Sequence, residues 1–104
     1  MANNAEITFI NMGPELARAQ SSGYGETLPA PLRHTFFVVS GETVDLLRRL
    51  RSDGFVASEA YGSPQIFAVR SEPISINHLK SLVREMCDLA DKFAAEYDGW
   101  KIDK

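Results

Sequence analysis

One hundred and four residues, 44% of them hydrophobic and 24% charged, are enough for one domain with its own core and exclude both wholesale disorder and a second domain. A net charge of −3 argues against a surface built to neutralise phosphates, so the expected partner is a protein and not a nucleic acid. The single cysteine, Cys87, has no internal disulfide partner, no stretch is apolar enough to span a membrane, and the opening residues lack the basic start of a signal peptide; the expected location is the cytoplasm.

In chain order, residues 6–12 alternate imperfectly and precede Gly13-Pro14, which predicts a short extra strand or an apolar arm lying on the domain. Pro14 suits the first position of a helix, and Ser21-Ser22-Gly23 ends it. Residues 23–31, with Gly25, Pro29 and Pro31, read as an irregular connector between an N-terminal arm, 1–23, and a main domain, 24–104. His34 to Val39 form the strongest strand, apolar on both faces and therefore expected to be central and covered on both sides. Ser40 is a natural N-cap, Val44, Leu47 and Leu50 make the buried stripe of the helix that follows, and Gly54-Phe55 closes it in a Schellman motif. Residues 55–61 and 65–70 read as a hairpin turning at Gly62-Ser63-Pro64.

Ser75 caps the second long helix, with Ile74 and Leu79 as a hydrophobic staple. Its apolar stripe is Leu79, Leu82, Met86, Leu89 and Phe93, and its solvated face is Lys80, Arg84, Glu85, Asp88, Asp91 and Lys92. Asp98-Gly99 reads as a turn, after which residues 100–103 form a short last strand. From Arg33 the order is strand, helix, strand, strand, helix, strand, which predicts an α+β fold of the ferredoxin-like βαββαβ type: a four-stranded antiparallel sheet in the order 4-1-3-2 with both helices on one face. The other face, with Phe37 and Val39, is then left to the arm around Phe9 and Ile10 or to a second copy in a homodimer.

Catalytic chemistry finds little support. His34 has no Ser, Cys or carboxylate at a recognisable spacing, so a structural or surface role outweighs a general base. His78 has no acidic or cysteine partner at a metal-ligand interval, and Cys87, beside Met86 and off the main stripe, reads as a partly buried inert thiol. The expectation is a non-enzyme with no metal and no cofactor. Arg48, Arg49 and Arg51 form the local basic cluster, either complementing the helix dipole or docking an acidic partner segment. Tyr97 and Trp100 are of the types enriched at interface hot spots, against the alternative that they finish the core.

The run Leu89 to Trp100, ending Tyr97-Asp98-Gly99-Trp100, resembles the C-terminal signature of the regulators of ribonuclease E activity B. Gly25-Glu26, Arg33-His34, Phe36-Phe37 and Gly54-Phe55 follow that family's upstream pattern, so that the resemblance spans roughly residues 24–104. It implies the same ferredoxin-like fold and a non-catalytic, protein-binding regulator that inhibits the RNA-processing endonuclease ribonuclease E. The partner-binding residues expected on this basis are Tyr97, Asp98 and Trp100, with Arg48 and Arg51 as electrostatic contacts. The alternative is a small-molecule-sensing or oligomerising ferredoxin-like module.

Overall fold

A computed structural model describes residues 3–38 and 41–103. Among them four helices and four strands follow in the order α1 (Ala5–Asn11), α2 (Gly13–Ser21), β1 (Ala30–Val38), α3 (Thr43–Ser52), β2 (Val56–Glu59), β3 (Gln65–Glu72), α4 (Ile76–Lys92) and β4 (Ala95–Ile102). The strands make one antiparallel sheet in the order β2-β3-β1-β4. β1 is central and alternates strictly. Ala30, Leu32, His34, Phe36 and Val38 are buried, whereas Pro31, Arg33, Thr35 and Phe37 are only half-buried. The expectation of cover on both sides is therefore corrected. One face carries the core and the other is partly open; the expectations for Val39 and Ser40 lie outside the described residues.

α3 packs on β2 and β3, α4 packs on β4, and the buried side chains of both helices join the inner sheet face in one core. The α4 stripe is as expected at Leu79, Leu82, Met86 and Leu89, with Phe93 partly buried against it and Val83, Cys87 and Ala90 widening it. Ser75 caps α4 through its hydroxyl, which accepts from the His78 N–H at 3.2 Å, and Ile74 and Leu79 are both buried. α3 closes as a Schellman motif: Gly54 takes a φ of +90°, the Phe55 N–H donates to the Leu50 carbonyl at 3.1 Å, and Gly54 donates to Arg51 at 3.2 Å. Its buried stripe differs from the expected one. Leu46, Leu47 and Leu50 face the core while Val44 is 62% exposed.

Three further expectations are corrected. The segment expected as a short strand or an apolar arm is an arm lying on the domain, but a helical one, α1, because Asn4 accepts the Ile7 N–H at 3.1 Å as an N-cap, and Ala5, Phe9, Met12 and Leu16 recur at helical intervals to pack on the core. The connector is shorter than expected: β1 already begins at Ala30, with Pro31 near its start, where a missing ladder donor is tolerated. Asp98-Gly99 is not a turn between helix and strand. α4 ends at Lys92, the chain reverses through Ala94 at φ +52°, and β4 runs from Ala95 straight through Tyr97-Asp98-Gly99-Trp100.

Within β4, Asp98 and Gly99 together oppose Thr35, since Tyr97 pairs with Phe36 and Trp100 with His34. This is a β-bulge, with Gly99 at φ +93°. Residues three apart in a regular strand lie on opposite faces; the extra residue returns both Tyr97 and Trp100 to the buried side. A side chain at Gly99 would also stand 2.6 Å from Met12 Sδ. Gly99→Ala is accordingly expected to lower stability by about 1–2 kcal/mol from the left-handed backbone alone. Melting of Gly99→Ala and of Gly99→Ala with Met12→Ala checks this: the double variant relieves the contact with Met12 but retains the backbone cost.

Candidate functional site

The residues singled out from the sequence fall mainly in two regions, one inside the fold and one on its surface. The interior one begins at His34, fully buried at the centre of β1, whose Nδ1 lies 2.7 Å from the Tyr97 hydroxyl. Phe55 meets the imidazole edge to face at 5.6 Å. Desolvation, helped by the nearby Arg70 cation, lowers the His34 pKa to about 3, so the ring is neutral at neutral pH. Burial likewise pushes the Tyr97 hydroxyl well up, and it remains protonated. Toward the end of β3, Glu72 is 3% exposed, and both of its oxygens are engaged: Oε2 accepts from Arg70 Nε at 2.6 Å and Oε1 lies 2.8 Å from His78 Nε2. Arg70 also donates to the Asp53 carbonyl at 2.9 Å and stacks 4.0 Å above the Phe55 ring. A carboxylate buried this deeply is tolerated because neither oxygen is left unpaired.

These contacts give each histidine one side-chain partner, Tyr97 for His34 and Glu72 for His78. His78, which the sequence leaves without an acidic partner, finds one in Glu72 across the helix cap. Among the described residues no group of three His, Cys, Asp or Glu side chains stands close enough to hold a metal ion. Cys87 is more deeply buried than expected, and desolvation raises its thiol pKa.

The surface region is the outer side of α3. Val44, Leu47, Arg48, Arg51 and Glu59 line a shallow groove of about 370 Å³. Arg48 approaches Asp45 only at 3.9 Å with both side chains mostly solvated, an ion pair of little consequence for stability. Arg51 spends two donors, at 3.2 and 2.9 Å, on the Ala57 carbonyl of the edge strand β2. The neighbouring Arg49 pairs with Asp53 at 3.1 Å.

The expected partner-binding residues are thus separated. Tyr97 and Trp100 are 6% and 2% exposed and belong to the core; as surface hot spots they are corrected, because the bulge turns both inward. Asp98 remains exposed, but on β4, at the edge of the sheet away from α3 and β2. Arg48 and Arg51 are exposed together. Sequence reasoning missed Val44 as their neighbour, although positions 44, 48 and 51 follow helical spacing as well as 44, 47 and 50 do. It also missed the Arg70–Glu72–His78 cluster, in which α4 brings His78 back to the end of β3, where Arg70 and Glu72 stand.

No protein-family model matches the chain, and no curated protein sequence matches it.

Two outcomes test the interior. Trp100→Ala is expected to cost roughly 3–5 kcal/mol of folding stability, read as a lowered melting temperature; an unchanged one would return Trp100 to the surface. For His34 the folded pKa lies below the ordinary value of 6.5, so the unfolded chain binds the proton first. The stability this group contributes is complete above about pH 6.5 and declines by about 1.4 kcal/mol per pH unit down to about pH 3. His34→Gln should flatten that part of the stability profile, as measured by denaturant unfolding between pH 7 and 4.

Proposed function

We propose that this protein is a non-catalytic, protein-binding regulator with a ferredoxin-like arrangement, acting like the inhibitors of ribonuclease E that its sequence resembles. The observation that carries the reading is the Tyr97-Asp98-Gly99-Trp100 run directly behind the last helix, where the four residues serve as one unit: a tyrosine and a tryptophan for the core and an Asp-Gly bulge that aims both inward. Strand order and antiparallel pairing from β1 to β4 are compatible with a ferredoxin-like sandwich, and the neutral His34 and fully engaged Glu72 favour structure over catalysis.

With Tyr97 and Trp100 inside, the docking surface is the outer side of α3: exposed Val44 gives an apolar contact beside the cations Arg48 and Arg51. A segment of the partner carrying carboxylates next to an apolar side chain fits it, the charges steering encounter and the valine contributing desolvation. Purified protein should bind ribonuclease E from the same cell and slow its cleavage of RNA without holding the RNA itself. Arg48→Glu should weaken that binding at least tenfold, about 1.4 kcal/mol, with no change in melting temperature. Wild-type protein that fails to bind the endonuclease, or that protects RNA by binding it directly, overturns the reading. Full inhibition by Arg48→Glu removes α3 as the surface.

A further inference from the structure

The outer face of the sheet is only partly covered: α2 flanks it at β4, where Glu15 and Arg18 share a cleft with Arg33 and Lys101, and the Arg33 guanidinium lies 5.3 Å from the Phe67 ring centre. Register defines the face: Pro31, Arg33, Thr35 and Phe37 on β1 stand beside Ser71, Val69, Phe67 and Gln65 on β3, and Val56 and Ser58 on β2 continue the rows. Phe37, Phe67 and Val69 are half-buried and Val56 is 76% exposed, so an apolar band crosses the sheet. The N-terminal helices, one of the two covers expected for this face, lie mainly elsewhere. α1 packs on α4, and α2 lies along β4.

Both sheet edges carry side chains on their backbone groups. On β4 the Asn3 side chain acts as a short strand, its amide donating to the Ala95 carbonyl at 3.0 Å and its oxygen accepting the Tyr97 N–H at 2.8 Å, while the Trp100 N–H meets Met12 Sδ at 3.3 Å. On β2 the Arg51 guanidinium occupies the Ala57 carbonyl. Edges blunted in this way discourage strand addition and leave the face as the available contact.

Charge identifies the occupant. Arg33 pairs with Lys101 toward one end of β1 and β4, and Phe37 pairs with Glu96 at the other. Glu15, Arg18 and Asp103 share the cleft at the first end, with Arg18 bonded to Glu15 at 2.9 Å, so that end carries a net positive charge and the Glu96 end a negative one. A two-fold axis in the plane of the interface, running across the strands at the level of Thr35, lays β1 antiparallel over β1 of the second copy. It sets Lys101 opposite Glu96 and Arg33 opposite Phe37, each contact made twice. The geometry points to a homodimer formed by face-to-face packing of this sheet on a second copy of the chain. The surface is distinct from the α3 groove, and the inference does not depend on the ribonuclease reading.

Strand spacing of ~4.8 Å and rise of ~3.3 Å give the face about 500 Å² per copy. That is near the lower limit for a specific interface, so a dimer that dissociates in the micromolar range is expected. Sedimentation velocity of the full chain from about 1 to 500 μM should show a monomer–dimer equilibrium. Phe67→Glu should weaken the dimer at least tenfold, at temperatures where its lowered melting still leaves the monomer folded. Lys101→Glu and Glu96→Lys should each weaken it, and the two together should restore it, a rescue that damage to the fold would not produce. A monomer throughout the concentration range, a dimer indifferent to Phe67→Glu, or a double variant no better than the single ones overturns the proposal.

Discussion

The inner half of the molecule depends on one extra residue in β4. Tyr97 and Trp100 stand three positions apart, and in an unbroken strand one of them would face solvent. The bulge at Asp98 and Gly99, opposite Thr35, brings both to the helix side, where Tyr97 pairs with Phe36 and Trp100 with His34. The His34–Tyr97 hydrogen bond, the stacking of Tyr97 at 5.2 Å from Phe36 and the seat of Met12 against Gly99 all follow from it. The glycine is needed twice, for its positive φ and for the room it leaves to Met12.

The same strand explains the N-terminal helices. β4 is an edge strand with unpaired backbone groups, and Asn3 and Met12 supply the contacts that another strand would make. Asn3 also ties the start of the chain to α4, since its backbone and side-chain N–H groups both donate to Asp91 Oδ1 at 2.7 Å and hold that carboxyl below its ordinary pKa. The arm is thus consumed in closing an edge. That is why the outer sheet face keeps its half-buried phenylalanines.

Polar groups in the core are arranged so that burial and pairing oppose one another only locally. Glu72 has lost solvent but gained Arg70 and His78, whereas His34 has lost solvent and its remaining nitrogen, Nε2, finds no hydrogen-bond partner among the described residues. An imidazole so placed stays neutral, packed between Phe55 and Tyr97.

The sequence by itself determined the two long helices, the hairpin and the caps at Ser75 and Gly54, because periodicity, side-chain capping and positive φ are local requirements of the backbone. It also located Arg48 and Arg51 on the basic last turns of a helix, since three arginines in four positions have no place in a core. Tertiary structure decided the rest. Residues 6–12 carry β-branched and aromatic side chains that favour a strand in isolation, yet a helix lets Phe9 and Met12 reach α4 and β4 together. Val44 and Leu46 fit the α3 stripe equally well, and only the direction from which the sheet approaches selects Leu46. An Asp-Gly pair satisfies a turn or a bulge alike. The ladder with β1 made it a bulge, and that choice moved Tyr97 and Trp100 from the surface into the core.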